Sequence, residues 1–234
     1  MDPEPDRQAL THAVRAVLER DCPGSRTLLL GSLAAGTADH FSDIDVEWVV
    51  PDEAFAACLA RVADVLGRVR PVAAVRCDPD YRHSDRRRLL FVRFAELPLF
   101  WRLDLSVRAE SVADDPDYDR HNPRARARDD AWSRPASALA NVVGAVKALA
   151  RHRPEDARGL LDRGFARIGE PPPAGAAGAR DAAGEPAAGW AAEIARLARA
   201  AARQEPELGP LAAQAVELAT RYVPTRRAGG PEGG

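Results

Sequence analysis

A small set of residues stands out for the chemistry that their types and order allow. Gly31-Ser32 follows a short apolar run, and Asp43-Ile44-Asp45 opens the next one. Asp104 interrupts a later apolar pattern, Phe100-Trp101-Arg102-Leu103-Asp104-Leu105. Side chains alternate along a strand, so Asp43 and Asp45 share one side while Ile44 points to the other. Two close carboxylates repel unless a cation sits between them. Hard oxygen ligands on one face suit Mg²⁺ or Mn²⁺, which take a few carboxylates together with phosphate oxygens. Gly31-Ser32 at a strand end lets a phosphate approach backbone N–H groups, with the Ser32 hydroxyl as a further donor. A lone Asp104 in an apolar strand is costly if buried and unpaired. A shared metal explains it, and so does a salt bridge to Arg102 or another arginine.

Positioning these groups requires a defined set of elements. Asp6 to Arg20 reads as a helix from Leu10, Val14, Val17 and Leu18, with Pro23-Gly24 ending it. Strands are expected at Arg26 to Leu30, Ile44 to Val50, Val72 to Cys77, Leu89 to Phe94 and Leu99 to Val107. The segment Gly31 to Gly36 is expected to turn into a short helix. Asp52 is expected to cap a helix from Glu53 to Leu66 with a stripe of Phe55, Leu59, Val62 and Leu66. A turn at Glu96-Leu97-Pro98 makes the last two strands a hairpin. After Val107 a polar connection runs from Glu110 to Arg128. Helices follow at Pro135 to Arg151, Glu155 to Ile168, Trp190 to Gln204 and Glu207 to Tyr222. Gly169 to Gly189 reads as a flexible Pro/Gly/Ala loop, and Arg226 to Gly234 as a disordered tail. The outline is α+β. A five-stranded mixed sheet flanked by helices occupies residues 1–108. A connection spans 109–132, a helical bundle 133–225 and a tail 226–234.

The ordered set Gly31-Ser32, Asp43-x-Asp45 and Asp104 resembles the DNA polymerase beta-like nucleotidyltransferase superfamily. The trailing helical half makes the chain similar to bacterial small-molecule nucleotidyltransferases of the aminoglycoside and lincosamide type. The motif covers Arg26 to Val107. The resemblance implies the nucleotidyltransferase fold and Mg²⁺-dependent transfer of a nucleoside monophosphate, AMP from ATP, to a hydroxyl of a small molecule such as an antibiotic. It assigns Gly31 and Ser32 to the phosphates of the nucleoside triphosphate. It assigns Asp43 and Asp45 to two Mg²⁺ ions (or Mn²⁺), and Asp104 to the ion nearer the attacking hydroxyl. The ions, roughly 3.5–4 Å apart, stabilise both oxygens of an in-line displacement that releases pyrophosphate. Family members often set a basic residue of the helical half against the triphosphate; Lys147 is the candidate for it here, and the alternative is an exposed helix residue. Drug-modifying members often carry a carboxylate base near their helical half. Here the helix Pro135 to Arg151 has no acid. The base is open among Asp104, Asp129, Asp130, Glu47 and Glu96. Two alternatives stand beside this reading: a regulator or antitoxin that adenylylates a protein, and a non-catalytic nucleotide-binding module.

Composition narrows the classes further. The chain has 234 residues, 46% of them hydrophobic, enough for a sizeable core. Its 33 basic and 35 acidic residues give a net charge of −2, which disfavours a nucleic-acid partner. Lys147 is the only lysine and every other basic residue is an arginine. Such a bias, with abundant alanine, discounts the Arg82, His83, Arg86, Arg87, Arg88 cluster and the Asp114 to Asp119 run to solvated loops. His40 likewise reads as a surface histidine, and Trp48 and Trp101 as core. Cys22, Cys58 and Cys77 form neither a disulfide framework nor a zinc motif, so reduced thiols in a cytoplasmic setting are expected. Met1 to Arg7 lacks the basic and apolar regions of a signal peptide. The apolar stretch Leu89 to Leu105 is broken by charges, so no membrane span is expected.

Overall fold

The computed structural model describes residues 6–128, 132–172 and 187–223. It divides into two compact units, Met1–Trp132 and Ser133–Gly234. The architecture is α+β: a five-stranded mixed sheet flanked by helices, followed by a set of C-terminal helices.

In the first unit α1 (Arg7–Asp21) starts where the Asp6 carboxylate accepts from the Gln8 N–H at 2.8 Å, satisfying a helix-start donor. Gly24, at φ +85°, lets the chain turn into β1 (Arg26–Leu29). A one-turn helix, α2 (Gly31–Ala34), leads to β2 (Ile44–Val50). Then come α3 (Phe55–Gly67), β3 (Val72–Cys77), β4 (Arg87–Phe94) and β5 (Leu103–Ala109). The spatial order is β1-β2-β5-β4-β3. Only the β2–β5 pair is parallel. Parallel partners need a crossover, and the α3–β3–β4 excursion supplies it.

One sheet face is apolar. Ile44, Val46 and Trp48 of β2 lie with Leu103, Leu105 and Val107 of β5 and Leu90, Val92 and Phe94 of β4. Onto them pack Val14 and Leu18 from α1 and Val62, Val65 and Leu66 from α3. Each such side chain contributes about 1.5–3 kcal/mol on leaving water. The alternate residues form the other face: Asp45 and Glu47 on β2, Asp104 and Ser106 on β5, Leu89, Phe91 and Arg93 on β4. The candidate acids therefore sit on the face that the helix-packed core does not use.

Several expected details shift. β5 begins at Leu103, four residues later than expected. The Trp101 N–H bonds the Pro98 carbonyl at 2.8 Å, so 98–101 is a turn and Arg102 lies before the strand. β4 starts at Arg87 instead of Leu89. Asp52 does not cap α3. It opens a 3-10 turn, accepting from the Ser111 N–H at 3.0 Å and pairing with Arg86. The polar stretch after β5 folds back onto the first unit. Arg108 donates to the carbonyls of Val112 and Asp115, and Arg87 to those of Pro116 and Tyr118.

The second unit holds α4 (Arg134–Ala150), α5 (Pro154–Arg167), α6 (Ala187–Gln204) and α7 (Gly209–Tyr222). Ser133 caps α4, accepting from the Ala136 N–H at 2.9 Å. A Cβ at Gly164 would run into Leu197, so glycine there lets α5 approach α6 closely. Arg158 pairs with Glu193 at 2.6 Å and lies over the Trp190 ring. The tail at 226–234 and most of the expected 169–189 loop lie outside the described residues, although α6 already begins at Ala187. Among the described residues no helix is long and apolar enough to cross a membrane.

Cys22, Cys58 and Cys77 are free and buried. Burial, with the neighbouring Cys22 thiol, pushes Cys58 up to about 12, and burial also raises Cys77. Thiolates are the reactive form. In the folded protein at pH 8 all three should resist Ellman's reagent and react only once guanidinium unfolds the chain. Rapid native labelling would contradict this packing.

Candidate functional site

The start of β2 is held in place from three directions. Asp39 accepts from the Phe41 N–H at 3.0 Å and the Ser42 hydroxyl at 2.9 Å, closing the turn that delivers Asp43. Arg7 of α1 donates to the Asp39 and Ser42 carbonyls at 2.6 and 2.9 Å. The Ile44 N–H bonds the Arg102 carbonyl at 2.9 Å, so the parallel pairing continues one residue ahead of β5. Phe41 and Phe100 meet edge to face at 5.2 Å, and exposed His40 joins them. None of Arg7, Asp39, Phe41, Ser42 or Phe100 stood out in the sequence. Their contacts depend on long-range approach, which no local spacing encodes.

Asp45 and Asp104 are register partners on β2 and β5. Asp43 precedes them on the β2 side. Gly31 approaches from β1 with φ +59°, and a Cβ there would collide with the Asp45 carboxylate. The Leu30 N–H bonds the Asp45 carbonyl at 3.0 Å. Gly31 is therefore needed twice, for its backbone conformation and for the space that Asp45 occupies. The Ser32 hydroxyl follows it at the start of α2, and the Thr37 N–H bonds the Ser32 carbonyl at 2.9 Å. Gly31, Ser32, Asp43, Asp45 and Asp104 thus gather at one end of the sheet.

The counter-charge in that gathering is Arg102. Its Nε and one terminal nitrogen hold the two Asp104 oxygens at 2.5 and 2.6 Å, a bidentate fork. The same group reaches Asp43 at 3.5 Å. Burial works to lower the Arg102 pKa. The bonds to Asp104 and the charges of Asp104, Asp43 and Asp45 outweigh that and hold it above its usual value.

Among the described residues no three His, Cys, Asp or Glu side chains converge closely enough to hold a metal ion. Both Asp104 oxygens are turned to Arg102. The donor set still suits a hard divalent cation: three carboxylates at one end of adjacent strands, already organised around a positive charge. To hold such an ion the three carboxylates would have to draw together as well as Arg102 move aside.

The other candidates resolve as follows. Glu47 pairs with Arg108 at 3.0 Å, with side chains 15% and 5% exposed, so it serves as a structural counter-charge. Glu96 sits at a turn with φ +61°. Asp129 and Asp130 lie outside the described residues. Lys147 belongs to the second unit, in the last turn of α4, and at 9% exposure it is buried rather than surface-borne. Arg86 and Arg87 are spent on Asp52, Ser111 and the loop carbonyls. Asp117 pairs with Arg120 at 2.8 Å. Trp48 is fully buried, its ring N–H on the Ser25 hydroxyl at 3.0 Å. Trp101 packs half-buried against the core.

No protein-family model matches the chain, and no curated protein matches its sequence.

Gly31→Ala should lower unfolding stability by at least about 1–2 kcal/mol from the left-handed backbone alone, read by urea denaturation. A neutral outcome would contradict both the left-handed conformation of Gly31 and its contact with Asp45. Glu47→Ala should cost about 3–5 kcal/mol, because it leaves the Arg108 guanidinium buried without its partner. An unchanged unfolding midpoint would return Glu47 to the list of possible bases.

Proposed function

We propose that this chain is a nucleotidyltransferase with the polymerase beta-like fold. In this reading it moves a nucleoside monophosphate, AMP from ATP, onto a hydroxyl of a small molecule. The observation that carries the reading is the junction of Gly31, Asp45 and Asp104. The glycine turn backs directly onto one carboxylate, whose parallel-strand neighbour is the other. The Ser32 hydroxyl and the adjacent amides offer donors to the β- and γ-phosphates. Asp43, Asp45 and Asp104 would hold Mg²⁺ or Mn²⁺, which when bound neutralises the triphosphate and polarises its α-phosphate.

The chain's own groups then orient the reactants. The acceptor oxygen forms a bond to the α-phosphorus as the bridging P–O bond to the β-phosphate breaks, and pyrophosphate leaves. The hydroxyl proton passes to a carboxylate. Asp104 is the candidate, since Glu47 is committed to Arg108. Asp104 accepts that proton only after Arg102 releases one of its oxygens.

The Arg102 fork favours one rival, a nucleotide-binding module without turnover, in which the guanidinium permanently replaces the cation. Pyrophosphate release from ATP and Mg²⁺ across a panel of hydroxyl acceptors separates the two. Asp45→Asn and Asp43→Asn should each slow release by about 10²–10³-fold, the loss expected for one charge-stabilising group. Wild-type rates in both variants would sink the transferase reading. ATP binding by calorimetry with no turnover on any acceptor would support the module.

A further inference from the structure

The parallel pairing of β2 and β5 reaches one residue ahead of β5, where the Arg102 carbonyl accepts from the Ile44 N–H at 2.9 Å. Arg102 stands two residues before Asp104, so alternation puts both side chains on one face. The guanidinium is then held on its edge and on its flat side. The edge carries the fork to both Asp104 oxygens, at 2.5 and 2.6 Å. The flat side lies over Phe91, the register partner of Asp104 on β4, 4.7 Å from the ring centroid. A terminal nitrogen also reaches Asp43 at 3.5 Å, and the charge of Asp45 acts on the same group. One planar cation thus serves all three acids.

An ion pair that only fastens a strand is built differently on this same face. Arg108, with 5% of its side chain exposed, joins Glu47 and is tied as well to the carbonyls of Val112 and Asp115. Releasing it would disturb the chain after β5. The Arg102 side chain is 29% exposed and that of Asp43 31%, and the Arg102 bonds named above run to carboxylates. Solvent reaches this group, and its bonds can exchange while the strands stay paired. A divalent cation that uses Asp104 must take the oxygens that the fork now holds. Two cations at such short range also repel, the more so where burial lowers the dielectric. Guanidinium and metal therefore compete for one place. Among the described residues the acids do not converge closely enough to hold an ion, as expected while the planar cation is there.

We propose that Arg102 and a divalent cation exclude each other from the acid cluster, with Arg102 as its resident occupant. Arg102 is then a positioning residue: it holds Asp104 in place and sets how tightly the resting protein binds free cations. The cation enters as the fork opens. This assignment rests on the reading of Asp43, Asp45 and Asp104 as cation ligands given above.

The test measures Mn²⁺ binding to the full-length protein by electron paramagnetic resonance, which needs no turnover. Arg102→Gln should bind Mn²⁺ roughly 5–150-fold more tightly than the wild type, the usual range of such coupling. Arg102→Lys, which keeps the charge and loses the fork, should fall between the two, and it carries the comparison if Arg102→Gln does not fold. Adding Asp45→Asn to Arg102→Gln should remove the gain. Thermal unfolding is the second readout. Without divalent cations Arg102→Gln should unfold at a lower temperature than the wild type. Mn²⁺ should restore it by more than it raises the wild type, and NaCl at equal ionic strength should not. A purely structural ion pair predicts the loss without the rescue. Equal Mn²⁺ affinity in the wild type and the Arg102 variants, absence of the rescue, or a gain that survives Asp45→Asn would each overturn the exclusion. Equal affinities alongside pyrophosphate release by the wild type would leave the transferase reading standing without it. Tighter Mn²⁺ binding in Arg102→Gln, with no release by the wild type on any acceptor, would leave the exclusion standing and the transferase reading lost.

Discussion

Two carboxylates on neighbouring parallel strands repel each other, and a positive charge set among them offsets that repulsion. Asp45 and Asp104 are brought side by side by the parallel β2–β5 register, the one parallel step in the sheet. Strand register is set by core packing: Ile44, Val46 and Trp48 must face α1 and α3 together with Leu103, Leu105 and Val107. A slip of one residue would put both acids into that apolar layer. The hydrophobic pattern therefore forces the acids onto the other face at matching height. Arg102, pinned by the Ile44 amide just before β5, supplies the compensating charge.

The same logic explains why the open face is divided along its length. Toward the ends of β2 and β5, Glu47 and Arg108 form a nearly closed ion pair, and the chain after β5 wraps over Arg108 and Arg87 through its carbonyls. These charges are committed and rigid. Toward the strand starts, the charges meet at Arg102, which serves Asp104 and Asp43 at once. A side-chain ion pair of this kind can be exchanged without unfolding a loop, whereas the backbone bonds to Arg108 and Arg87 cannot.

Much of this was legible in the sequence, and for identifiable reasons. β2 and β3 keep their expected bounds because β-branched and apolar residues dominate between turn residues, with the charged Asp45, Glu47 and Arg76 falling on alternate positions. Gly31 was legible as a turn glycine, and its second reason, contact with Asp45, was not, since it joins residues on different strands. The excess of expected strand at Leu99 to Arg102 came from aromatic and apolar content that belongs to a turn packed on Phe41 and the core. Asp52 followed the capping pattern and lost it to Ser111 and Arg86, partners more than thirty residues away. Long-range competition of this kind defeats local rules. Phe91 and Arg93 carried a signal that was there to read. They alternate with Leu90, Val92 and Phe94, and so had to share the face of Asp104.

Arg102 has two consistent interpretations, and its geometry says how they are related. A guanidinium brings one charge and planar donors, so it can hold Asp104 by two bonds but touch Asp43 only at 3.5 Å. A divalent cation brings twice the charge at a point and draws carboxylates from several directions at once. The arginine is thus a weaker version of the same electrostatic solution, bonded to Asp104, near Asp43 and within the field of Asp45. In that position the Arg102 guanidinium also lies over the Phe91 ring, 4.7 Å from its centroid.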